Sequence, residues 1–230
     1  MLDRRRMLMA NSQGGYVENG LVCWVDGILN QGNIPEDQKG NYTITSQATS
    51  PVKNGDIIQF ANSACVVPCG AVTDTNSFTI NIVAKRRSTN IPSMLWSILP
   101  YDTTYPNGRA NLGYVTSGAS SLRFFQNQYP DSNFFLYSSS WLNTDVTDYH
   151  SCDVTFEDKS IKVYVDGVLS VSGTETRTFQ TNLPIVIGAY TPRETCFANI
   201  DLLSFKLYNR PLTADDIAQN YATDKARFNL

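Results

Sequence analysis

The segment Ile161-Lys162-Val163-Tyr164-Val165-Asp166-Gly167-Val168-Leu169-Ser170 constrains this chain most. Ile161, Val163 and Val165 fall on one face and Lys162 and Tyr164 on the other, the period of two of a half-buried strand. Asp166-Gly167 then supplies a tight turn whose positive φ glycine adopts without a Cβ penalty. A helix is excluded here, and the Ile/Val face demands a sheet to bury it. Other segments repeat the pattern. Leu21-Val22-Cys23-Trp24-Val25 runs into a second Asp-Gly at Asp26-Gly27. Phe78, Ile80 and Ile82 alternate towards the charged end Lys85-Arg86, and Cys152, Val154 and Phe156 lead into the hairpin through Glu157-Asp158-Lys159. Near the end Leu203, Phe205 and Leu207 share a face while Ile200 is out of phase, which predicts a β-bulge near Asp201. Weaker strands are predicted over 42–45, 57–60, 64–67, 93–99, 110–115, 122–126, 134–137 and 183–190. One helix is predicted from Thr213 to about Lys225. Thr213 and Asp216 form a capping box, Leu212 and Ile217 a hydrophobic staple, and Ile217 and Tyr221 face the sheet. The expected class is all-β, a two-sheet antiparallel sandwich with a short C-terminal helix.

Composition narrows the function. The 230 residues are 42% hydrophobic and 17% charged, which suits one β domain with a sizeable core. A net charge of -3 lacks the broad basic field of a nucleic-acid binder. No run reaches the roughly 18 apolar residues of a membrane span. Met7-Leu8-Met9-Ala10 is shorter than the roughly 7 to 15 apolar residues of a signal peptide, so export is not expected. Residues 1–19 read as a flexible basic arm, with Arg4, Arg5, Arg6, Met7 and Leu8 as its anchoring residues, and residues 20–230 as the domain. Cys23, Cys65, Cys69, Cys152 and Cys196 are odd in number and read as reduced, small buried hydrophobes. Cys65 and Cys69 have no second Cys or His pair to complete a metal knuckle.

Catalytic patterns are missing. A retaining glycosidase needs two carboxylates about 5 Å apart on one strand face, and no such spacing occurs. Glu157 and Asp158 are adjacent and belong to a turn, while Asp215 and Asp216 serve the helix start. His150 is the only histidine, which excludes a multi-histidine metal site. The chain is expected not to be an enzyme. Its binding candidates are Tyr101, Tyr105, Tyr129 and Trp141, placed in loops with Asn107 and Arg109 nearby. Flat rings cover the apolar side of a sugar while amide and guanidinium groups donate to hydroxyls. The alternative is that these rings pack beneath the loops or in subunit contacts.

The hairpin, together with Leu183-Pro184-Ile185-Val186-Ile187-Gly188 and the ending Tyr208-Asn209-Arg210-Pro211-Leu212-Thr213, resembles the concanavalin A-like, laminin G-type jelly roll. Residues 21–27 are similar to that family's first strand. The resemblance implies the jelly-roll sandwich. It also makes calcium an alternative to no cofactor at all, with Asp26, Asp166 and Asp201 as the ligands. The Arg-Arg-Arg-Met-Leu-Met-Ala start before a laminin G-like domain resembles head-decoration or fibre proteins of tailed phages of gut bacteria. That likeness implies a virion-surface protein made in the host cytoplasm. Its partners would be other virion proteins, through the arm, and a glycan of cell surface or mucus, with a homo-oligomer as a further expectation. Neither nucleic acid nor membrane insertion is expected. A purely structural, oligomerising virion component and a glycosidase of the same fold are the alternatives.

Overall fold

The computed structural model describes residues 15–68, 77–89, 93–98, 109–114, 121–127, 134–142, 144–175, 183–190 and 196–230. In chain order the strands are β1 (Leu21–Asp26), β2 (Thr45–Ala48), β3 (Val52–Asn54), β4 (Ile57–Phe60), β5 (Ser63–Val67), β6 (Ser77–Arg86), β7 (Ser93–Ile98) and β8 (Arg109–Tyr114). They continue as β9 (Ser121–Asn127), β10 (Phe134–Leu142), β11 (His150–Glu157), β12 (Ser160–Val165), β13 (Val168–Thr174), β14 (Ile185–Ile187) and β15 (Ile200–Tyr208), and end in the helix α1 (Ala214–Phe228). Among the described residues they form two antiparallel sheets. The larger has eight strands ordered β13-β12-β11-β6-β15-β4-β3, with β1 also on β15, and the smaller has seven ordered β10-β9-β8-β7-β14-β5-β2. This is the expected jelly-roll sandwich with one C-terminal helix.

The hairpin forms as the sequence dictates. Val165 pairs with Val168, so Asp166 and Gly167 are the whole turn, with φ of 52° and 78°. Gly167 is needed for space as well: a Cβ there would lie 2.8 Å from the Tyr221 ring on α1. The expected bulge occurs between Leu202 and Ser204, where β15 slips one residue against β6. It brings Ile200 and Leu202 into phase with Phe205 and Leu207 on the inner face, and leaves Leu203, expected on that face, as the extra residue of the bulge outside the core between the sheets. Between the sheets Phe156 stacks on Phe78 at 4.1 Å and meets Phe124 edge-on at 5.4 Å, with Trp96 fully buried beside them.

Two expectations shift. Residues 15–19 belong to the folded domain rather than to an arm ending at residue 19: Val17 N–H donates to Asn220 Oδ1 at 2.9 Å and the Tyr16 hydroxyl to Asp224 at 2.6 Å. Arg4, Arg5, Arg6, Met7 and Leu8 lie outside the described residues. Strand β10 runs on to Leu142, so Trp141 sits in a strand and not in a loop.

The outer face of the larger sheet is not left to water. One row across it reads Trp24, Lys206, Asn81, Asp153 and Tyr164, each opposite the next on neighbouring strands. Helix α1 covers this row. Thr213 and Asp216 close the capping box at its start, and Ile217 packs with Leu212, Tyr208, Trp24 and Tyr164. The Lys206 ammonium reaches Asp224 of the helix at 2.8 and 3.0 Å and Asn81 Oδ1 at 3.2 Å, with both charged side chains fully buried. Burial pushes the Asp153 carboxyl up to about 7, although Lys206 pulls it back. Its Oδ1 has no hydrogen-bond partner. Arg227 closes the far end by donating from Nε to Asp26 Oδ2 at 2.7 Å.

Candidate functional site

The connection between β1 and β2 is longer than the roughly 12 to 15 residues beyond which a loop usually carries a function. Two polar residues, the buried Asn30 and the half-buried Asp37, fix its shape. Asn30, 2% exposed, accepts from Glu36 N–H at 2.6 Å and donates to the carbonyls of Gly32 at 2.6 Å and Ile34 at 3.2 Å. Asp37 accepts from four backbone N–H groups: Trp24 and Lys39 on Oδ1 at 2.9 and 3.0 Å, Asn41 and Tyr42 on Oδ2 at 2.8 and 3.1 Å. A backbone satisfied in this way is held before any ligand arrives.

The fixed loop walls a cleft of about 640 Å³. Ile34, Pro35 and Ile44 give it an apolar lining and Tyr42 a half-buried ring, while Asn33, Glu36, Thr43 and Ser50 carry exposed polar groups at it. Its size falls within the roughly 300 to 1,000 Å³ of small-molecule sites. An apolar wall with one phenol and several hydroxyl, amide and carboxylate groups suits a polyhydroxylated ligand. Burial raises the Tyr42 hydroxyl pKa, with Cys23 and Asp37 adding to it, so the group stays a neutral donor. Both oxygens of Asp37 are committed to the backbone by these four bonds. Sequence reading missed this cleft because Asn30 to Gly40 is simply polar; the one legible sign was the length of the connection.

A second cluster lies where β11 begins. His150 Nδ1 meets Asp166 Oδ2 and its Nε2 meets Asp145 Oδ2, both at 2.7 Å, while Trp141 packs on the ring at 5.0 Å. Partial burial lowers the His150 pKa, but the two carboxylates outweigh it and the net shift is upward. The Asp145 carboxyl moves down: burial opposes the shift, and the bonds from His150 and from the backbone of Asp148 and Thr147 drive it. With both ring nitrogens occupied, His150 is a clamp between residues 145–150 and the β12–β13 turn. A histidine whose folded pKa exceeds the unfolded value of about 6.5 contributes stability fully below that value and loses it as pH rises through the folded pKa. The buried Asp153, at about 7, makes stability fall with pH in the same direction between the usual carboxylate range and neutrality. The clamp is therefore isolated by difference. The gap in unfolding midpoint between wild type and His150→Gln is expected to be widest near pH 6 and to narrow towards pH 9. A gap independent of pH contradicts a charged clamp.

The residues expected to bind sugar are distributed otherwise. Tyr101, Tyr105, Asn107 and Tyr129 lie outside the described residues, as does the side chain of Arg109, whose backbone pairs with Asn127 in the smaller sheet. Strand pairing brings Ile98 opposite Ala110, Arg109 opposite Asn127 and Gln126 opposite Phe134, so these strand ends lie at one end of that sheet. Trp141 is a correction: its ring is 0% exposed and meets Tyr114 edge-on at 6.1 Å, leaving no face for a ligand.

Nor do the three aspartates proposed for calcium converge. Asp26 is held by Arg227 and the N–H groups of Ile28 and Leu29, Asp166 by His150 and the N–H of Ser151, and Asp201 by Gln59, Lys85 and Arg87. Among the described residues no three His, Cys, Asp or Glu side chains gather as a metal site. Cys23, Cys65, Cys152 and Cys196 are in no disulfide; the first three are buried and Cys196 is half-buried. No helix among the described residues is long and apolar enough to cross a membrane.

Comparison with known proteins agrees with this architecture. A profile described as the concanavalin A-like lectin/glucanases superfamily matches residues 60–218. A search of curated proteins gives no match. Similar solved structures include domain 4 of AbnA, a GH43 extracellular arabinanase from Geobacillus stearothermophilus, in complex with arabinotriose. It is 16% identical over 89% of this chain and 100% of that one, with a TM-score of 0.68. The binding domain of Paraclostridial Mosquitocidal Protein 1 is 16% identical over 88% of this chain, with a TM-score of 0.65. A structure of botulinum neurotoxin type C, whose cell entry depends on two ganglioside molecules, is 14% identical over 90% of this chain, with a TM-score of 0.64. The matches span 52% and 51% of those two toxin chains. At such identities the likeness is one of fold. The profile covers more than half of the sequence and the two sheets have the matching arrangement, so the chain belongs to the concanavalin A-like lectin/glucanase superfamily.

Proposed function

We propose that this protein is a non-enzymatic glycan-binding module displayed on a virion surface, as a head-decoration or fibre component made in the host cytoplasm. The observation that carries glycan binding is the cleft beside Tyr42, held open by Asn30 and Asp37 and lined by an apolar wall with hydroxyl, amide and carboxylate groups. Related folds support it: one is in complex with arabinotriose and another belongs to a toxin that interacts with gangliosides. The non-enzymatic reading is supported by the four N–H bonds that commit Asp37. The virion role rests on the likeness of the basic start to phage proteins, with residues 1–14 as the attachment element and a glycan of cell surface or mucus as the target.

A multivalent preparation of the full chain on a glycan array is expected to bind, with or without chelator. Absence of binding at high avidity contradicts the lectin role. Release of reducing ends from polysaccharide would establish a glycosidase instead. A structural, oligomerising role has one specific support: Tyr137 on the edge strand β10 and Val168 and Leu169 on the edge strand β13 are exposed apolar side chains on strands tied together through Ser138 and Ser170.

A further inference from the structure

We infer that the cleft beside Tyr42 selects uncharged glycans and rejects those bearing sialic acid, uronic acid or sulfate. The inference rests on the glycan-binding function proposed above and names the ligand class of that same site.

Charge sets the preference. Among the residues lining the cleft, Glu36 and Asp37 are the charged ones and both are acidic. The basic side chains nearest in sequence are engaged elsewhere. The Lys39 ammonium pairs with Glu18 at 3.0 Å, and the Lys53 ammonium donates to the carbonyls of Gly27 and Gly55. Asp37 has both oxygens taken up by its four N–H donors. Glu36 is exposed, and its two oxygens accept only the long bonds from Gly32 N–H at 3.2 Å and Gln31 N–H at 3.3 Å. It keeps lone pairs for incoming donors. Sugar hydroxyls are such donors, and a charge-assisted bond to a carboxylate is stronger than one between neutral groups. A carboxylate or sulfate on the sugar would instead meet Glu36 as a like charge. At about 6 Å and an effective dielectric of about 40, that repulsion corresponds to roughly a tenfold loss of affinity, reduced to a few-fold by physiological salt.

The test is an array in which each neutral glycan is printed beside its sialylated, uronic-acid or sulfated counterpart, probed with wild type, Tyr42→Ala and Glu36→Gln, each checked for folding by its unfolding midpoint. In low-salt buffer the wild type is expected to favour the neutral member of each pair by at least about fivefold, falling to a few-fold in physiological salt. Tyr42→Ala should lose neutral binding about tenfold, and Glu36→Gln should narrow the neutral-to-acidic ratio at least about threefold. Equal or preferred binding of the acidic members overturns the inference and leaves the glycan-binding function standing. Neutral binding that survives both substitutions unchanged removes the cleft as the site. No binding to any pair overturns the function itself.

Discussion

Replacing Lys206 with alanine is expected to cost the domain about 3–5 kcal/mol, the range for removing one partner of a fully buried ion pair. The ammonium lies between the outer face of the larger sheet and helix α1. It satisfies Asp224 with two bonds and Asn81 with one, and stands 4.2 Å from the centroid of the Tyr16 ring. Without it, two buried carboxyls remain at one spot. Burial already raises the pKa of both Asp153 and Asp224, and Lys206 is the nearby charge that holds each down. The loss should therefore be larger at pH 8 than at pH 5, where Asp153 and Asp224 can take up protons. Urea unfolding of Lys206→Ala at the two pH values measures both. The double variant Lys206→Met/Asp224→Leu, which removes the pair without leaving Asp224 unpaired, should recover most of the stability at pH 5. Equal stability of Lys206→Ala and wild type contradicts the buried row.

Trp141→Ala is expected to cost about 3–5 kcal/mol, because it empties a large space in the core. The ring is fully buried, edge-on to Tyr114 and tilted over His150. The substitution also withdraws packing from the clamp that ties Asp145 to Asp166. Glycan binding by the folded fraction should be unchanged, since no face of this ring meets solvent. A variant that keeps its unfolding midpoint but loses glycan binding would return Trp141 to the ligand site.

Much of the fold was legible because strand periodicity is local. The hairpin at Asp166-Gly167, the phase break that requires a bulge in β15 and the capping box at Thr213 each follow from a few neighbouring residues, and each is found. Trp141 went the other way. It stands after Ser138, Ser139 and Ser140, a polar run that reads as a loop, yet that run is the end of β10, paired to β9 through its earlier residues and bonded to Ser170 of β13. Polar residues on an edge strand look the same in sequence as polar residues in a loop. The row of Lys206, Asn81 and Asp153 shows a further limit. Alternation places these residues outside the core but does not reveal that the C-terminal helix comes back to cover them, with Asp224 reaching Lys206 from 18 residues further along the chain. Residues 15–19 joined the domain for the same reason, through partners on α1. The cleft was least legible. It depends on Asn30 and Asp37 satisfying backbone groups across the β1–β2 connection, and side chains of this kind read only as loop composition.

An amide-resolved NMR titration of the full chain with a neutral oligosaccharide that the array selects tests glycan binding at the cleft most directly. Saturable shifts are expected, centred on Asn33, Glu36, Tyr42, Thr43 and Ser50, with Trp141 and the β15–α1 interface unmoved. Saturable shifts confined to other parts of the molecule, or none at concentrations where the array shows binding, would contradict binding at the cleft.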